Sequence, residues 1–249
     1  MIARVGASIV AVCLLGGCTW DNGDGRDRNP ANQPGYVRPD DEKADPRRPH
    51  STRGGAKTSA ATFTLINGAD TVRVRLGDLG DDLFEVATPD DAKVSPTVQV
   101  DGTTVVAGLR GTGHHGPAAV SVLLNDDVRW LVKLGAGAVE KQVDLTGGPG
   151  GNVELGTGST RAEVALPAAA GQQTVTMTGG VQTMEVRLAG DAPVRVAVGN
   201  GAGSVTVDGQ TRTGVPGGSV WAPPTWTTAT DTYDINVAAG VSQLTVSRQ

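Results

Sequence analysis

The 249-residue sequence predicts an all-β protein, a Gly-rich β-solenoid or β-helix-like repeat, with an antiparallel sandwich or meander as the alternative topology. Three observations lead there. Apolar and polar residues alternate with period two through most of residues 59–249, as in Thr71-Val72-Arg73-Val74-Arg75-Leu76 and Val194-Arg195-Val196-Ala197-Val198, the pattern of half-buried strands. No window of a dozen residues carries a helical stripe. A unit of strand, Gly-rich corner and strand recurs along the second half of the chain.

Taken in order, the first element is a secretory leader. One basic residue, Arg4, precedes an apolar run from Val5 to Leu15 that ends in Leu15-Gly16-Gly17-Cys18. The run is well short of the ~20 residues a membrane-spanning helix needs, and its small-residue ending reads as a cleavage site. Residues 1–17 are therefore expected to be removed. Leu15-Gly16-Gly17-Cys18 resembles the lipobox of bacterial lipoproteins, which implies acylation of Cys18 and a protein held by its lipid on the extracytoplasmic face of a cell membrane. Cys13 falls within the removed peptide and Cys18 becomes the anchor, so the mature domain has no thiol for a disulfide, a thiolate metal site or a cysteine nucleophile.

The second element, residues 18–58, comprises the anchor and a tether rich in Asp, Arg, Asn, Pro and Gly, exemplified by "RNPANQPGYVRPDDEKADPRRPH". It has too little apolar surface to offset the entropy of folding and reads as a disordered spacer. Its mixed charges describe a solvated chain rather than a binding patch.

Residues 59–125 form an amino-terminal β region in which the repeat is faint. Its "GTGHHG", Gly111 to Gly116, matches G-x-G-x-x-G, but Pro117 and an alternating strand follow, so no helix amino terminus is available for a dinucleotide phosphate. His114 and His115, with Asp126-Asp127, fall short of a metal site with ligands of fixed geometry. The acidic pairs Asp81-Asp82, Asp90-Asp91 and Asp126-Asp127 sit outside any D-x-D-x-D-G calcium loop and read as solvated turns. No metal and no cofactor is expected.

Residues 126–249 carry the repeat, with a period of about 21. "VKLGAGAVEKQVDL" from Val132, "VELGTGSTRAEVAL" from Val153 and "VTMTGGVQTMEVRL" from Val175 align without gaps; "VGNGAGSVTVDG" and the stretch around Ile235, Val237, Gly240, Leu244 and Val246 are further copies. A strand follows every Gly-rich corner, so Gly135, Gly137, Gly156, Gly158, Gly179, Gly180, Gly199 and Gly201 are expected to supply positive φ or tight turns rather than a phosphate cradle. Val143/Leu145, Val164/Leu166 and Val186/Leu188 share one parity and should stack inward. The opposite parity aligns Glu140, Arg161 and Thr183, then Gln142, Glu163 and Glu185, in a solvated mixed-charge ladder.

The strand, "LGxG" corner, strand pattern of residues 130–249 resembles the toastrack-type adhesin-like domains of bacterial envelope proteins. That resemblance covers about half the chain and implies a non-catalytic surface module, with no functional residues to carry over. The last candidate is "SVWAPPTWTTATDTY", which gathers Trp221, Trp226 and Tyr233 around Pro223-Pro224: an aromatic plug for the end of the repeat stack, or an exposed platform for a sugar or peptide.

With a net charge of −5, nucleic acid is an unsuitable partner. The function expected is a lipid-anchored cell-envelope protein acting as a binding, adhesion or structural module, partnered by the membrane through its lipid and by an envelope protein or a wall glycan. The alternative is a carbohydrate-active enzyme on a β-helix, which would need two converging carboxylates.

Overall fold

A computed structural model describes residues 49–249. Cys18 and the leader lie outside the described residues. Nineteen strands follow one another: β1 (Ser51–Ala56), β2 (Ala60–Leu65), β3 (Ala69–Gly77), β4 (Asp82–Ala87), β5 (Val94–Asp101), β6 (Thr104–Gly111), β7 (Ala119–Asn125), β8 (Arg129–Leu134), β9 (Ala138–Asp144) and β10 (Gly151–Leu155). Then come β11 (Ser159–Leu166), β12 (Gln172–Met177), β13 (Val181–Leu188), β14 (Val194–Val198), β15 (Ala202–Val207), β16 (Gln210–Val215), β17 (Ser219–Trp221), β18 (Thr232–Val237) and β19 (Val241–Arg248). The only helical element among the described residues is a 3₁₀ turn, Pro224–Thr227.

The strands build a ten-stranded sheet, β1-β4-β7-β3-β9-β11-β13-β19-β15-β16, and a nine-stranded sheet, β17-β14-β18-β12-β10-β8-β2-β6-β5. Each coil places one strand in the smaller sheet, turns a corner, and places the next in the larger: β2/β3, β6/β7, β8/β9, β10/β11, β12/β13, β14/β15 and β18/β19. Pairing between coils is parallel throughout, and antiparallel pairing is confined to the ends, at β1–β4, β4–β7, β5–β6, β14–β17 and β15–β16. The chain is all-β, and its coils stack as the repeat alignment requires: Val143, Val164 and Val186 are register partners.

That register extends across the whole molecule. In the larger sheet a single row runs Val86, Val122, Val74, Val143, Val164, Val186, Val246 and Val207, ended by Thr52 on one side and Gln210 on the other. The facing sheet has the row Val100, Val105, Phe63, Val132, Val153, Val175, Ile235, Val196 and Trp221. Apart from the exposed Val100 at the outer end of the second row, both rows enter one continuous core. A methyl-rich β-branched side chain suits this repeating, half-buried pleat, and full burial of each valine contributes about 1.5–3 kcal/mol.

Two coils lie out of chain order. The last, β18/β19, is inserted between β12/β13 and β14/β15, and the first, β2/β3, lies between β6/β7 and β8/β9. The reason at the carboxy end is steric: β16 and β17 extend the β14/β15 coil on its outer side, leaving its inner edge for the strands that arrive last.

The corner glycines have a different role from the one expected. Of the eight named above only Gly201 has positive φ, at 96°. Gly156, Gly179 and Gly199 are required by how closely one corner lies on the next: an added Cβ would be 2.9 Å from the Gly135 carbonyl oxygen at Gly156, 2.3 Å from the Thr157 carbonyl carbon at Gly179 and 2.6 Å from the Ala238 carbonyl oxygen at Gly199, whereas Gly135, Gly137 and Gly180 have room for one. Amides carry the ladder around each corner, Gly156 N–H donating to Leu134 O at 2.9 Å and Ala238 N–H to Met177 O at 2.8 Å.

Ser51–Ala56, assigned by composition to the tether, forms β1, paired antiparallel with β4. It is short of apolar side chains, and backbone pairing supplies the order. Gly55 lies over Leu83, where a Cβ would be 2.9 Å from the leucine's own.

Candidate functional site

The two ends of the stack are finished differently. At the amino end β1 lies against β5 across the sheets. At the carboxy end the inward rows stop at Gln210, Arg212 and Trp221, and a cleft of about 610 Å³ opens there. Val194, Val196 and Val207 form its apolar side, Trp221 and Pro223 add to the wall, and Asp191, Asp208, Gln210, Arg212, Thr225 and Arg248 supply polar groups.

Backbone register places these side chains. Trp221 is opposite Val196 on β17, so its ring continues the core row and is half-buried. Arg212 is opposite Val205 on β16, and its guanidinium lies 5.2 Å from the centroid of the Trp221 ring. Cation and ring attract through the ring quadrupole. Among the described residues Arg212 has no carboxylate partner. Arg248, at the end of β19, pairs with Asp208 at 3.4 Å and donates to the Gly190 carbonyl at 3.1 Å.

The other two aromatic candidates are not at the cleft. Tyr233 is fully buried, its hydroxyl 2.7 Å from the Pro167 carbonyl oxygen and 2.6 Å from that of Ala189, one proton serving two acceptors. Burial raises its phenol pKa. Trp226, on the 3₁₀ turn, donates from Nε1 to the Tyr233 carbonyl at 3.0 Å. Arg195 lies 5.6 Å from its ring centroid and pairs with Asp234 at 2.7 Å. Of the three, Trp221 alone lines the cleft.

The remaining sequence candidates are dispersed. His114 stacks on His50 with ring centroids 6.2 Å apart, His115 is exposed, and Asp127 pairs with Lys57 elsewhere. Asp82 pairs with Arg53 at 2.5 Å. Asp70 accepts from the Ala118 amide and from Lys93, each at 3.0 Å, which together hold its carboxyl below the usual range. Among the described residues no three His, Cys, Asp or Glu side chains gather as a metal site would require. On the outer face of the larger sheet the mixed-charge ladder is formed as aligned: Arg161 bridges Glu163 at 2.5 Å and Glu185 at 3.1 Å, and Arg187 approaches Glu163 at 3.6 Å.

One buried group went unnoticed in the sequence. Lys141 has the parity of Val143 and points inward, in register with Val72 and Ala162, at 1 % exposure. Its ammonium donates to the Thr157 carbonyl at 2.6 Å, and burial lowers its pKa from 10.5 to about 8. Alternation alone would have flagged it, because Lys141 and Val143 cannot face opposite sides of one strand.

The fold has a solved counterpart. The chain superposes on the crystal structure of a candidate cell adhesion protein from Clostridium sporogenes with a TM-score of 0.59, at 15% identity, covering 81% of this chain and 100% of that one. A candidate adhesin from Bacteroides fragilis aligns over 79% of this chain and 95% of its own, with a TM-score of 0.26 and 10% identity. No family model matches the sequence, and no curated protein does. Among the described residues no helix is long and apolar enough to cross a membrane.

Proposed function

We propose that this protein is a non-catalytic adhesion or structural module of the bacterial cell envelope, held on the extracytoplasmic face of a membrane by an acylated Cys18. The single observation supporting the adhesive part is the shared coil stack with the Clostridium sporogenes candidate cell adhesion protein over that protein's whole length. The lipobox sequence supports the anchoring part. Glu163, Glu185, Asp82 and Asp127 fit this reading, engaged by cations away from the cleft, and of the two carboxylates in the cleft lining Asp208 is paired with Arg248.

The mechanism is one of presentation. A lipid alone gives marginal membrane attachment unless a second signal or several acyl chains assist, and the tether sets how far the stack stands off. A stack stitched by parallel ladders transmits load from coil to coil through backbone hydrogen bonds, and its end cleft is the surface most distant from β1 in strand order.

Crosslinking in intact cells, with recovery of the tagged protein, tests the reading against a Cys18→Ser control. The wild type is expected in the detergent phase with a recurrent envelope protein or wall-glycan partner, and the control in the aqueous phase without it. Equal partitioning of the two refutes the anchor. Turnover of a wall polysaccharide by the purified protein refutes the non-catalytic reading.

A further inference from the structure

We infer that the carboxy-terminal cleft is a saccharide-binding site that takes the end of a neutral glycan chain between β16 and β17. This deepens the adhesive reading above and rests on it for its biological setting, while its chemistry is argued from the cleft alone.

Size comes first. At about 610 Å³ the cleft falls within the ~300–1,000 Å³ of small-ligand sites, enough for a short oligosaccharide. Charge comes second. Arg212 and Arg248 share the lining with Asp191 and Asp208, Arg248 being paired with Asp208 at 3.4 Å, so formal charges cancel and neither an anion nor a cation is selected by net field. What remains is a mixture of donor-only groups (the guanidiniums), acceptor-only groups (the carboxylates) and two-way groups, the Gln210 amide and the Thr225 hydroxyl. Sugar hydroxyls both donate and accept, and planar side chains can engage two neighbouring hydroxyls at once. The apolar C–H face of a pyranose ring needs a surface of the kind that the half-buried Val207 and Trp221 and the exposed Val220 and Pro223 provide.

A peptide strand is the other occupant to weigh, because β16 and β17 are sheet edges. Both are built against strand addition. The inward positions of β16 are Gln210 and Arg212, Gly214 has φ of 61°, and β17 is only three residues long and is followed by Pro223 and Pro224. Inward polar residues, short edge strands and flanking prolines are devices that prevent backbone pairing. Recognition through side chains then remains, and that is the saccharide mode. Arg212, lying over Trp221 with no carboxylate partner among the described residues, is free to turn its donors toward a ligand.

The test uses the full-length protein in detergent micelles and ligand-detected saturation-transfer NMR. The probes are cellobiose, mannobiose and N,N′-diacetylchitobiose, with digalacturonate as the acidic comparison and acetyl-Val-Thr-Val-Thr-Val-amide as the strand mimic. At least one neutral disaccharide is expected to bind, and Arg212→Ala and Asp191→Asn should each weaken it by about tenfold. Arg73→Ala, on the outer face of the larger sheet, should leave binding unchanged. Both cleft variants alter exposed side chains, one truncated and one neutralised, and an unchanged thermal midpoint verifies that the fold persists. The inference is overturned if no neutral disaccharide binds, if the cleft variants bind as the wild type does, or if the peptide alone binds. Loss of the cleft assignment with cell-surface crosslinks intact would leave the adhesive reading standing; loss of both crosslinks and partitioning, with disaccharide binding retained, would do the reverse.

Discussion

Replacing Lys141 with methionine should stabilise the protein, against the usual trend that core substitutions destabilise. Lys141 occupies an inward row between Val72 and Ala162, with a hydrogen bond to the Thr157 carbonyl and, among the described residues, no carboxylate partner. A fall in its pKa from 10.5 to about 8 means that keeping it protonated in the folded state costs about 3 kcal/mol relative to the unfolded chain. Methionine has a similar length and fills the same space without a charge. It leaves the Thr157 carbonyl without that donor, a loss of about 1 kcal/mol, so the net gain at pH 7 is about 2 kcal/mol. The sign of the pH dependence follows from the depressed pKa. The unfolded chain holds the proton more tightly, so wild-type stability from this group rises as pH climbs between about 8 and 10.5, with about 1 kcal/mol recovered from pH 7 to pH 9. Urea denaturation of wild type and Lys141→Met at both pH values reads this directly: the variant should be more stable at pH 7 and its advantage should shrink at pH 9. A variant less stable than wild type at pH 7, or an advantage of the same size at both pH values, would refute the reasoning that burial of an unpaired ammonium sets the cost.

Further expectations concern the corners, the end plug and the threaded coil. Gly179→Ala places a Cβ 2.3 Å from the Thr157 carbonyl carbon and should destabilise by about 1–3 kcal/mol in chemical denaturation, whereas Gly240→Ala, with open space around it, should change stability by less than about 0.5 kcal/mol. Tyr233→Phe leaves the Pro167 and Ala189 carbonyls without their shared donor and should lower stability by about 1–3 kcal/mol, with little change in near-ultraviolet ring packing. Deleting residues 232–249 removes an internal coil, not a terminal one, so the cooperative thermal transition should be lost altogether. Survival of a cooperative transition would mean that β14/β15 can dock directly on β12/β13.

The strands themselves were legible because alternation has a fixed period of two and the repeat aligns Val143, Val164 and Val186 without a gap. Legibility failed where backbone pairing, not side-chain pattern, supplies the order. Ser51–Ala56 has the composition of a spacer and becomes a strand because β4 offers it an edge. The candidate site was visible only in part: Trp221 drew attention as an aromatic, but Tyr233, its neighbour in sequence terms, faces the interior and binds the carbonyls of two other coils.

The sequence by itself determined the all-β class, the coil period, the inward valine parity and the solvated charge ladder, since each depends on local alternation and on residues a fixed number of positions apart. The order of the coils, the reason for the corner glycines, the buried Lys141 ammonium and the cleft between β16 and β17 were decided only by the tertiary structure. Copies with interchangeable apolar rows fit beside one another in several orders, and the choice falls to which edges the end hairpins cover and how closely neighbouring corners approach.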